Sequence, residues 1–131
     1  MNETDANQLT ETIIGAAIEV HRALGPGLLE SAYQRALAHE LTLRGIAFEE
    51  QKICPVTYKG LLIENAYRLD FLVEKNVVVE LKAVDAIMDV HEAQVLTYLK
   101  FTGCNIGLLL NFHSTILTKG LRRFINSKHS N

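Results

Sequence analysis

The chain has no tryptophan, only two cysteines and two prolines in 131 residues, and no strong excess of either charge. Cys54 and Cys104 stand apart with no CxxC pair, which excludes a disulfide framework and a thiolate metal site; both read as small buried apolar residues. No stretch approaches the roughly 20 apolar residues of a membrane-spanning helix. There is no glycine-rich phosphate loop, no P-loop lysine motif, no serine elbow and no HxxxH pair of zinc-ligand spacing. Lys and Arg number 13 against 15 Asp and Glu, a formal net charge of −2. That balance argues against a protein that wraps long duplex nucleic acid, which carries a basic footprint. It leaves room for a carboxylate site whose charge a bound cation offsets. The first residues, Met1-Asn2-Glu3-Thr4-Asp5, are acidic and lack the pattern of a secretory signal, so the expected compartment is the cytoplasm and no membrane partner is expected.

What is present is a chain that is 48% apolar, long enough for one core and too short for two. A single domain is expected over residues 10–126, with loose polar tails at 1–9 and 127–131. Apolar residues at helical spacing predict a helix from Thr10 that ends at Leu24-Gly25-Pro26-Gly27, and a second from about Leu28 to Arg44, stopped by Gly45. The period then changes. Strands are expected over Ile46–Tyr58, with Pro55 marking an edge or bulge, over Leu61–Glu74, bent near Glu64-Asn65, and over Val77–Ala83. The short turns at Lys59-Gly60 and Lys75-Asn76 predict an antiparallel meander, and Val77-Val78-Val79 a central strand. A third helix from about Val90 to Phe101 crosses to a buried strand at Asn105–Phe112, parallel to the third. Ser114–Thr118 reads as a fifth, edge strand, followed by a short terminal element at Gly120–Ile125. The order is helix, helix, strand, strand, strand, helix, strand: an α/β fold with a mixed sheet and helices packed on it.

Three charged residues interrupt these apolar strands, where a charge is costly unless something uses it. In Arg68-Leu69-Asp70-Phe71-Leu72-Val73, Leu69, Phe71 and Val73 are expected on one face and Asp70 on the other. Glu80 and Lys82 point the same way along the next strand. The turn at Lys75-Asn76 folds that strand back beside Asp70 and can bring Asp70 and Glu80 together. Adjacent carboxylates repel unless a cation lies between them, and a hard divalent ion, Mg²⁺ or Mn²⁺, suits an all-oxygen site. Lys82 would then orient water or steady phosphate charge. The competing reading is a cross-strand salt bridge from Lys82 to either acid. His21 lies on an apolar helix face and reads as a hydrogen-bonded core or rim histidine, with a cleft role as the alternative; His91 is similar. Gln94 and Tyr98, four residues apart, share a helix face. Arg68, Lys100, Lys119, Arg122 and Arg123 are candidates for a phosphate-contacting rim and equally for ordinary surface.

Asp70 followed by Glu80-x-Lys82, in this order of elements, resembles the PD-(D/E)XK nuclease superfamily, with Leu69 in place of the proline that often precedes the first acid. The chain also resembles a family of small proteins named for a Gly-x-x-Glu-x-x-Tyr motif (GxxExxY), here Gly27-Leu28-Leu29-Glu30-Ser31-Ala32-Tyr33. Glu19–Pro26 before the motif, Val79–Val84 and His91–Lys100 extend that likeness over roughly Thr10 to Ile125. The resemblance implies a divalent-metal-dependent nuclease acting on DNA or RNA. It implies Asp70, Glu80, Glu30 and the Leu81 carbonyl as metal ligands, and Lys82 and Gln94 beside the attacking water or the phosphate. A carboxylate at Glu30 is also favourable simply because it begins a helix. Tyr33 and Tyr98, with His21, fall to the core or to a supporting layer around the site. The alternative reading is a catalytically silent nucleic-acid-associated or adaptor protein, and a third is a hydrolase of a smaller phosphorylated substrate. A domain this small is expected to work as a homodimer, beside a partner protein, or on short or structured ends.

Overall fold

The computed structural model describes residues 2–126. Helix α1 (Glu3–Leu24) begins earlier than the polar composition of residues 1–9 suggests. The Asn2 side chain caps it by accepting the Asp5 amide at 2.8 Å, and Glu3 and Asp5 sit favourably in its first turn. Ala6 and Leu9 then reach the edge of the core, so those turns gain burial. The expected tail at 127–131 lies outside the described residues. Helix α2 (Glu30–Leu43) follows a loop in which Gly25 and Gly27 adopt φ of 71° and 114°, conformations glycine takes without a Cβ penalty. Leu28 and Leu29, expected in the helix, lie in this loop.

The sheet has the order β1 (Phe48–Tyr58), β2 (Leu61–Val73), β3 (Val77–Lys82), β4 (Ile106–Asn111), β5 (Leu121–Ile125). The first three strands form the expected antiparallel meander, and α3 (Asp89–Thr102) carries the chain across to β4, parallel to β3. Opposite Pro55 the register shifts: β2 uses two more residues than β1 between the pairs Cys54–Tyr67 and Val56–Ile63, the bend expected near Glu64-Asn65. Beyond it the hairpin has no third strand beside it and leaves Tyr58, Leu61, Leu62 and Ile63 exposed. The fifth strand is displaced from its expected place. Ser114–Thr118 is not a strand; Leu117–Gly120 is a 3₁₀ turn and the edge strand is Leu121–Ile125, antiparallel to β4. Leu117 is drawn into the core there, and a Cβ on Gly120 would stand 2.2 Å from Ser114 Oγ, so the chain folds on itself before it can pair.

Helices α1 and α2 cover one face of the sheet. Their Ile13, Ala17, Leu37 and Leu41 pack with Phe71, Val79, Leu81 and Leu108. Helix α3 covers the other, where Tyr98 and Leu99 pack with Leu69, Leu72 and Val78. Gly107 permits that close approach: a Cβ on it would stand 2.6 Å from Val95 Cγ1. Leu69 therefore does not share a face with Phe71 and Val73; the strand's alternation breaks between Leu69 and Phe71, at Asp70.

Candidate functional site

The break at Asp70 builds the site. Strand β2 pairs with β3 from Val73–Val77 to Phe71–Val79 and no further. At the next step the ladder bonds are replaced by side chains. The Asp70 amide donates to Glu80 Oε2 at 2.7 Å, and the Leu81 amide donates to Asp70 Oδ2 at 2.8 Å. Each carboxylate thus accepts a backbone N–H of the facing strand, and the two acids meet as the turn at Lys75-Asn76 predicts.

Glu80 is 3% exposed. Burial, and then the negative charge of Asp70, pushes its carboxyl up to about 8; the Asp70 amide and Lys82 pull weakly the other way. Glu30, on the first turn of α2, is also raised, by partial burial and then by the charge of Asp70, against Lys82 and His91. It remains accessible at the surface. The field of the site therefore joins Glu30, Asp70, Glu80 and Lys82, with His91 at the start of α3, where its Nδ1 accepts the Met88 amide at 2.9 Å. Tyr98 belongs to the same neighbourhood: burial and then the charges of Glu80 and Asp70 raise its phenol, and its ring stacks on Tyr67 at 5.0 Å. Gln94, half-buried, lies one turn before Tyr98, and among the described residues it bonds to neither carboxylate. Lys82 forms no ion pair among the described residues, so its charge is not spent on a salt bridge.

His21 and Tyr33 stand elsewhere. His21 Nε2 bonds to the Ser114 carbonyl at 2.7 Å, and the ring lines a cleft with Arg22, Pro26 and Ile116 that none of the carboxylates lines. Tyr33 is fully buried and stacked on Phe112 at 4.7 Å; its hydroxyl donates to the Gly25 carbonyl and accepts the Leu28 amide. It ties down the loop that leads into Glu30. Of the candidate basic rim, Arg122 and Arg123 diverge. Arg122 approaches Glu92 at 3.8 Å while its neighbour Arg123 bonds Asn7, on the opposite side of β5.

Three further residues, outside the sequence-based candidates, support the site. Gln51 Nε2 donates to Asp70 Oδ1, and Gln34 Nε2 to the Asp70 carbonyl, each at 3.4 Å. Gln34 follows Glu30 by one helical turn, a spacing that could have marked it. Buried Asn111 grips Val84 in both directions, at 2.8 and 3.1 Å, and so holds the chain just after Lys82.

Among the described residues no three of His, Cys, Asp and Glu are gathered closely enough to hold an ion by themselves. Two neighbouring carboxylates beside strand backbone still suit Mg²⁺ or Mn²⁺, which take one or two carboxylates and keep several waters. No described helix is long and apolar enough to cross a membrane.

No curated protein and no solved structure matches the chain. The sequence profile of the PD-(D/E)XK nuclease superfamily matches residues 7–124, which contain α2, α3, β1 to β4, most of α1 and β5, and every acid of the site. The chain belongs to the PD-(D/E)XK nuclease superfamily.

Proposed function

We propose that this protein is a divalent-metal-dependent nuclease that hydrolyses phosphodiester bonds in DNA or RNA, and that within the superfamily it stands with the GxxExxY proteins. The observation that carries the reading is the Asp70–Glu80 pair: two reciprocally bonded carboxylates, one buried, beside a lysine that makes no ion pair among the described residues. Asp70, Glu80 and the Leu81 carbonyl would hold Mg²⁺ or Mn²⁺, with Glu30 completing the shell directly or through water. When bound, the ion supplies Lewis-acid stabilisation of the charge that develops on the phosphate.

The remaining work falls to the side chains. Lys82 orients the attacking water and offsets negative charge at the phosphoryl oxygens. Gln94 hydrogen-bonds the phosphate or the water from α3. Water adds across the P–O bond, leaving a phosphomonoester on one side and a hydroxyl on the other. Tyr33, by fixing the Gly25–Leu28 loop, keeps Glu30 in place. The test is cleavage of single-stranded, duplex and branched DNA and RNA with Mg²⁺ or Mn²⁺, alongside calorimetric titration of the ion. Binding and cleavage should both vanish in Asp70→Ala and Glu80→Ala.

A second reading is a nuclease fold kept for interaction with nucleic acid or protein. It is favoured by Arg122 and Arg123, which are engaged by Glu92 and Asn7 on opposite sides of β5. Folded wild-type protein that neither binds Mn²⁺ nor cleaves any of these substrates would establish it over the first.

A further inference from the structure

Four described non-glycine residues have positive φ: Gln51, Lys59, Glu74 and Lys75. Lys59, Glu74 and Lys75 lie in turns, where that conformation is ordinary. Gln51, at φ 52°, lies inside β1. A side chain held there is strained, and glycine would relieve the strain. Gln51 is exposed, so core packing does not account for it. Its position does. It falls between the pairs Glu50–Phe71 and Lys52–Leu69, and therefore opposite Asp70. Its Nε2 donates to Asp70 Oδ1, while Asp70 Oδ2 takes the Leu81 amide. Gln34 adds a bond from α2 to the Asp70 carbonyl and another, at 3.0 Å, to Glu50.

From this geometry we infer that Gln51 is a positioning residue: its amide, reaching from a strained backbone position in β1 to β2, sets the orientation of the Asp70 carboxylate. The consequence for metal affinity rests on the metal reading above. A carboxylate ligand is useful only in the right rotamer, and loss of a supporting hydrogen bond costs a metal site about 10- to 100-fold in affinity. Glycine at this position would be easier on the backbone and would leave Asp70 supported on one oxygen only.

The experiment compares wild type, Gln51→Gly and Gln51→Ala. Metal-free protein is followed by thermal unfolding and by NMR exchange of the Leu81 amide proton relative to Val79. Mn²⁺ binding is then measured by calorimetry. Gln51→Gly should unfold at or above the wild-type temperature, exchange Leu81 about tenfold faster and bind Mn²⁺ about 10- to 100-fold more weakly. Gln51→Ala, which keeps the backbone penalty, should show the same exchange and affinity changes without any gain in stability. A merely conformational role for Gln51 would move the unfolding temperature alone. Leu81 exchange and Mn²⁺ affinity both within about threefold of wild type in Gln51→Gly would overturn the inference; faster exchange with unchanged affinity would overturn its role at the metal. Wild type that binds no Mn²⁺ would overturn the metal reading, and the exchange measurement would still decide whether Gln51 positions Asp70.

Discussion

Asp70 and Glu80 face each other across β2 and β3 and each is tied to the other's strand: Glu80 Oε2 accepts the Asp70 amide at 2.7 Å, and Asp70 Oδ2 accepts the amide of Leu81 at 2.8 Å. The arrangement satisfies two backbone donors at the point where the strands part. It also crowds two carboxylates together, and burial, then the charge of Asp70, raises the carboxyl of Glu80.

Metal affinity should therefore depend on pH. Glu80 is pushed up to about 8, chiefly by burial and then by Asp70. Ion binding must displace its proton, so Mn²⁺ affinity is expected to rise up to about tenfold per pH unit below pH 8 and then level off. Calorimetry at pH 6, 7 and 8.5 measures this directly, and an affinity flat over that range would count against proton displacement from Glu80.

The stability of the metal-free protein should run the opposite way. Glu80 is raised from an ordinary value of 4.5 to about 8, so between these the folded state binds more protons than the unfolded. The stability is present below the unfolded value and is lost as pH rises through the folded one. Denaturant unfolding should show a decline of a few kcal/mol from about pH 4.5 to 8. Glu80→Gln should remove that slope and abolish Mn²⁺ binding.

Removing the Asp70 carboxylate strips the Leu81 amide of its acceptor. An unsatisfied buried donor costs about 1–3 kcal/mol. Asp70→Ala should lose about that much in urea unfolding and lose Mn²⁺ binding, while Asp70→Asn, which keeps an acceptor oxygen, should lose the metal with a smaller stability change.

Tyr33→Phe tests the loop before Glu30. The hydroxyl bridges Gly25 and Leu28, so its loss should cost about 1–2 kcal/mol while the ring keeps its stack on Phe112. Mn²⁺ affinity should fall modestly through Glu30, and proteolysis within residues 25–29 should become faster than in wild type.

Gly107→Ala is the contrasting case. The new methyl group meets Val95 at 2.6 Å, and such overpacking costs about 1–3 kcal/mol. The calorimetric affinity for Mn²⁺ should stay unchanged once the variant is folded, because the strain falls between α3 and β4 and not at the carboxylates.

Much of this architecture was readable from the chain alone, and for local reasons. A period-two pattern, two short turns and a helical crossover determine that β1, β2 and β3 form a meander and that β4 lies parallel to β3. The turn between β2 and β3 is short enough to bring Asp70 back beside Glu80, and the two acids do meet there. Other features leave no trace in spacing. Asn2 as a helix cap, and Leu117 drawn into the core in place of a strand at 114–118, depend on contacts that periodicity does not encode.

The sequence by itself determined the three helices, the first four strands, their order and the short turn that can bring Asp70 beside Glu80, because those depend on side-chain periodicity and on the reach of a short turn. Only the tertiary structure decided that β2 leaves β3 at Asp70, that Glu80 is buried enough to keep its proton near neutrality, and that Gln34 and Gln51 grip Asp70. Those facts rest on desolvation and on bonds between residues 36 and 19 positions apart in the chain, which have no local signature.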